Sequence, residues 1–167
     1  FKSYNCLTRL CAGFFILKQK RVKTILITGA GKGIGLETAK LAAADGHSVI
    51  AISRNISALE VIEGVQAYSV DLSSEEAIHG FVQKIANTQI DVLINNAGVL
   101  TNTPVVESSF ALFEKIYKVN VFGLAELTRQ LLPQIPSSGH VVSISSMGGI
   151  QGSAKFPGLS IYSSSKG

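Results

Sequence analysis

Tyr162 and Lys166 stand four residues apart near the end of the sequence, in Tyr-Ser-Ser-Ser-Lys. On a helix that spacing places both side chains on one face, one turn apart. A phenol beside a fixed ammonium favours phenolate and suits an acid/base catalyst. Such pairs also arise by accident, so their meaning depends on what lies upstream. Ser145 and Ser146 follow an apolar run, and either hydroxyl could steady charge on a substrate oxygen. Asn120 lies in Lys-Val-Asn-Val-Phe-Gly, inside a helical stretch where asparagine is a poor helix former. Thr28 to Gly35 reads TGAGKGIG, and Asn95-Asn96-Ala97-Gly98 follows a later apolar run.

These residues need elements to hold them. Lys23–Ala30 reads as a buried parallel strand that stops at glycines. A helix is expected over Gly33–Asp45, closed by Gly46. Strands follow at 47–53 and 65–70, with a short helix at 55–63 between them. Ser73 and Glu76 have the spacing of a capping box and open the next helix. A fourth strand covers 91–94, helices cover 110–117 and 119–132, and a fifth strand covers 140–145. Alternating strands and helices predict an α/β fold, a doubly wound parallel sheet of Rossmann type. TGAGKGIG then falls between the first strand and the first helix, where free N–H groups meet an anion. It fails the G-x-G-x-x-G fingerprint, because Ile34 stands where that pattern needs glycine. It is no P-loop either, because Gly33 follows Lys32.

The chain has 167 residues, 46% of them hydrophobic and 16% charged, enough for one domain with a core. The net charge of +4 is uneven. Lys2, Arg9, Lys18, Lys20, Arg21 and Lys23 precede the first acidic residue, Glu37; beyond Lys23, nine Lys/Arg face eleven Asp/Glu. That distribution argues against nucleic acid as a partner, since the basic excess is not on the folded body. Cys6 and Cys11 have no metal-ligand spacing and read as free thiols of a reducing, cytoplasmic compartment. The apolar run Leu10–Leu17 is too short to span a bilayer. Residues 1–22 are set apart as a disordered or artefactual extension, or a targeting segment, and 23–167 as the nucleotide-binding domain.

In their order, these motifs resemble the short-chain dehydrogenase/reductase family. The matching pattern is T-G-x-x-x-G-x-G through Thr28, Gly29, Gly33 and Gly35, then NNAG, Asn120, Ser146, and Tyr162 with Lys166. The resemblance implies a catalytic set of Asn120, Ser146, Tyr162 and Lys166. Tyr162 would exchange a proton with a carbonyl or alcohol oxygen, and Lys166 would favour its phenolate and bond the nicotinamide ribose. Ser146 would hold the substrate oxygen, and Asn120 would hold a relay water. The cofactor would lie against Thr28, Gly29, Lys32, Gly33, Ile34, Gly35, Ser53, Arg54, Asp71, Leu72, Asn95, Ala97, Gly98, Tyr162 and Lys166. Ser53 and Arg54 stand where an NAD-selective carboxylate would be, and Lys32 is close by, so NADP(H) is expected over NAD(H). No metal is expected.

The family implies further strands after Gly167 and homo-oligomers, so the chain reads as a C-terminally incomplete piece, inactive alone. Its substrate would be a small ketone or secondary alcohol. The alternative is a non-catalytic nucleotide-binding relative, or a truncated chain, acting as an interaction partner.

Overall fold

A computed structural model of the chain describes residues 21–167. The readings made of the preceding residues, Cys6, Cys11 and the Leu10–Leu17 run among them, lie outside the described residues. Five strands form one parallel sheet: β1 (Thr24–Thr28), β2 (Ser48–Ser53), β3 (Val65–Ser69), β4 (Val92–Asn95) and β5 (His140–Ser143). Their order is β3-β2-β1-β4-β5. The order reverses at β1, which opens a crevice beyond the strand ends between β1 and β4.

The pleat sends alternate residues to opposite faces. Ile25, Ile27, Val49 and Ala51 bury one face beneath helix α1 (Gly33–Ala44). Leu26, Ile50, Ile52 and Leu93 bury the other. There they meet α2 (Glu75–Lys84) through Ile78 and Phe81, and α4 (Leu124–Leu131) through Leu127 and Leu131. This two-faced burial is why β1 and β2 read as near-continuous apolar runs rather than alternating ones. Helix α3 (Phe110–Tyr117) precedes α4, and α5 (Ser160–Ser164) carries Tyr162. β5 lies at the sheet edge, with Val141 and Val142 about two-fifths exposed. No described helix is long and apolar enough to cross a membrane.

Several local expectations change. Residues 55–63 form successive tight turns instead of a helix. Asn55 Oδ1 captures the Ser57 N–H at 3.0 Å, an Asx turn that competes with helical bonding. The cap of α2 is Ser74, whose Oγ accepts from Ala77 N at 3.2 Å. Ser73 is withdrawn from capping because Asp71 Oδ1 takes both its N–H, at 2.9 Å, and its hydroxyl, at 2.8 Å. The helix expected over 119–132 begins instead as a π-helical segment, Lys118–Gly123, and only then continues as α4. Strand β5 ends at Ser143, so Ser145 and Ser146 stand in the loop beyond it.

Candidate active site and cofactor cleft

The turn after β1 requires Gly29. Its φ is 64°, and a Cβ there would meet Ala97 Cα at 2.7 Å. Thr28, fully buried, anchors the same junction: its Oγ1 accepts from Asn96 N at 3.0 Å and Ala97 N at 2.9 Å. Asn96 Nδ2 answers by donating to Thr28 O at 2.9 Å. The glycine turn and the NNAG turn are thus a single unit at the reversal point of the sheet. Above it α1 begins at Gly33, with Lys32 as an N-cap that gives no side-chain cap bond. The first-turn N–H groups therefore face outward, as an anion site needs.

A cavity of about 350 Å³ opens over this unit. Its walls hold Gly29, Lys32, Gly33 and Ile34 from the first turn, Ser53 and Arg54 after β2, and Asp71 and Leu72 after β3. Ala97 and Gly98 close the β4 side. Ile52, Val70, Asn96, Val99 and Val119 also line it, and they were missed as site residues. Ile52 and Val70 were findable, since each stands where a strand meets the crevice. Val119 carries no local signal.

Some expected residues lie elsewhere. Thr28 and Gly35 are buried beneath the wall. Asn95 points away: its Nδ2 donates to Thr128 Oγ1 on α4 at 2.9 Å, which ties β4 to that helix. Its buried Oδ1 lacks a hydrogen-bond partner. Tyr162 and Lys166 are outside the cavity wall, but Lys166 Nζ would be 3.1 Å from a Cβ on Gly98, which forms that wall. Asp71 serves two ends. It lines the cavity and forms the Ser73 turn, whose N–H and hydroxyl hold its carboxyl below the ordinary range, with help from the Arg54 charge.

Asn120, Ser146 and Lys166 of the expected catalytic set come together around α5, the helix that carries Tyr162. Asn120 is 6% exposed on the π segment. Its Oδ1 accepts from Val99 N at 2.7 Å, and its Nδ2 donates to Val99 O at 3.0 Å and Ser165 Oγ at 2.8 Å. Lys166 stands past the end of α5, in a turn whose N–H reaches Ser163 O at 3.1 Å. Tyr162 is thus on α5, and Lys166 lies in the turn that follows it. Lys166 Nζ donates to Ile144 O at 3.0 Å, and Lys166 O accepts from Ser145 Oγ at 2.6 Å. Burial pushes the Lys166 ammonium below its usual range. Ser146 Oγ accepts from Gly148 N at 3.2 Å. That leaves the Ser146 hydroxyl proton available, whereas Ser145 is committed to the backbone. Gly149 must be glycine here, because a Cβ would overlap the Lys166 carbonyl carbon and oxygen.

The family model described as short chain dehydrogenase matches residues 23–167. The chain is 32% identical to the NADPH-dependent 1-acyldihydroxyacetone phosphate reductase of Saccharomyces cerevisiae, covering 90% of this chain and 53% of that protein. Among solved structures, a short-chain dehydrogenase from Streptomyces avermitilis superposes with a TM-score of 0.80 at 36% identity, over 89% of this chain and 57% of that one. A 3-ketoacyl-(acyl-carrier-protein) reductase from Brucella melitensis, complexed with NADH, gives 0.77 at 27% identity, over 86% and 64%. The chain spans about half the length of the curated relatives it matches. With the parallel sheet and the glycine unit, these matches show that the chain belongs to the short-chain dehydrogenase/reductase family.

Proposed function

We propose that the protein containing this chain is an NADP(H)-dependent oxidoreductase that interconverts a ketone and a secondary alcohol. The observation that carries this reading is the convergence of Asn120, Ser146 and Lys166 around α5, beside a cleft with free helix N–H groups and two cations. The cleft fits the cofactor. The Gly29 turn leaves room for a pyrophosphate, Asp71 and Val99 border an adenosine end, and Lys32 and Arg54 offer charge to a 2′-phosphate. One relative is described as NADPH-dependent and another binds NADH, so the phosphate preference rests on this chain's own cations.

The nicotinamide, when bound, supplies or accepts the hydride. The chain moves the proton. Tyr162 gives its phenolic proton to the ketone oxygen in reduction and takes it back in oxidation. The Ser146 hydroxyl donates to the same oxygen as negative charge develops. Lys166, held near the Gly98 wall, favours the phenolate, and its lowered proton affinity suits it to pass a proton onward. Asn120 fixes the turn on which both stand.

The test is the ratio of dissociation constants for NADPH and NADH. Removing one charge-assisted contact with Arg54→Ala is expected to weaken NADPH about tenfold or more and leave NADH nearly unchanged. Equal or tighter NADH binding by the unmodified protein would refute the phosphate assignment.

A further inference from the structure

We propose that Ser165 is a positioning residue for the acid/base chemistry, locking the Tyr162–Lys166 turn onto Asn120. The proposal rests on the oxidoreductase reading above. Three consecutive serines separate Tyr162 from Lys166, and each faces a different element. Ser163 Oγ lies 2.6 Å from where a Cβ on Gly148 would stand, against the turn that follows Ser146. Ser164 Oγ accepts from the Tyr117 hydroxyl on α3 at 3.0 Å. Ser165 Oγ accepts from Asn120 Nδ2 at 2.8 Å and donates to Tyr162 O at 2.7 Å.

Only the third serine is buried, at 6% exposure, and Asn120 matches it at 6%. Water can replace a lost partner at Ser164 but not at Ser165. Removing the Ser165 hydroxyl therefore leaves a buried Asn120 N–H unpaired and leaves the Tyr162 carbonyl only its backbone bond from Ser165 N, at 3.1 Å. The consequence falls on geometry. The direction of Tyr162 is set by what the turn is tied to, and Ser165 ties the backbone of Tyr162 itself. Lys166 comes next in the chain, already fastened at both ends to the loop after β5. Release at Ser165 lets Tyr162 move relative to Lys166 while the cofactor walls, built by other elements, stay in place.

The experiment compares Ser165→Ala, Ser165→Thr and Ser164→Ala in the full-length protein. Its readouts are NADPH oxidation with phenanthrenequinone as the carbonyl probe, NADPH affinity, and hydrogen exchange of the Asn120 side-chain amide by NMR. Ser165→Ala is expected to lower kcat about tenfold to a hundredfold, as a displaced catalytic group does. NADPH affinity should stay within about twofold, and the Asn120 amide should exchange faster. Ser165→Thr restores most of kcat, because a helical threonine hydroxyl reaches the same carbonyl. Ser164→Ala leaves kcat within about twofold. Should Ser165→Ala not fold, Ser165→Cys, with its weaker donor, carries the same comparison. Turnover that survives Ser165→Ala unchanged, or that Ser165→Thr fails to restore, overturns the proposal. Absence of turnover in the unmodified protein overturns the oxidoreductase reading instead, and this proposal with it.

Discussion

Asn120→Ala tests the joint that holds the site together. The substitution removes three hydrogen bonds, two with Val99 and one with Ser165. At a net value of about 1 kcal/mol each, their loss costs about 3 kcal/mol. Alanine's better helix propensity returns about 0.6 kcal/mol. The balance is a loss of about 2–3 kcal/mol. In a domain of this size that lowers Tm by roughly 5–10 °C. The assay is thermal unfolding by circular dichroism at neutral pH. Lys118→Ala is the control: it sits two residues away and loses only a surface pair to Glu114, 4.0 Å apart. Its effect should stay within about 0.5 kcal/mol. A fall of less than about 2 °C for Asn120→Ala, or an equal fall for the control, would refute the view that Asn120 is a structural joint.

The other expectations concern contacts and charge. Gly149→Ala drives a methyl group into the Lys166 carbonyl, so it should destabilise by about 1–3 kcal/mol and cut turnover far more than cofactor affinity. Gly80→Ala, in the interior of α2 with nothing within 4 Å of a new Cβ, should instead stabilise by about 0.5–1 kcal/mol; melting curves of the two variants check the sign of each. The Thr24 N–H, at 2.9 Å, holds the Asp91 carboxyl below its ordinary range, with lesser help from Gln89, Arg21 and Lys23. Stability from a depressed carboxyl is fully present above its unfolded value, about 3.9, and is lost as pH falls through the folded value. Asp91→Asn should therefore be less stable than the unmodified chain at pH 7, and the difference should shrink below about pH 4 in acid titrations followed by fluorescence or circular dichroism.

Much of the architecture was legible because it depends on short-range pattern. The apolar runs at β1 and β2 announce burial on both faces. The glycines of TGAGKGIG mark the strand-to-helix turn, and Arg54 and Asp71 follow strand ends that must open into the crevice. What escaped depends on partners distant in sequence. Ser73 has the right spacing to cap α2, but the Asp71 carboxylate claims it first. The π segment is tied down by Asn120 bonding Val99, 21 residues earlier. Asn95 was placed in the cofactor wall, yet Thr128 on α4, 33 residues later, draws its side chain away. The partners of the three serines between Tyr162 and Lys166 cannot be read from the run itself.

In the proposed reaction Tyr162 is the proton donor and acceptor of a nicotinamide-dependent step. The most direct test of that role is the turnover of NADPH and a ketone by the full-length protein, before and after Tyr162→Phe. The ring stays and only the hydroxyl leaves, so the change isolates the proton. Kcat should fall about a hundredfold or more while NADPH still binds. Unchanged turnover by the phenylalanine variant would contradict that role.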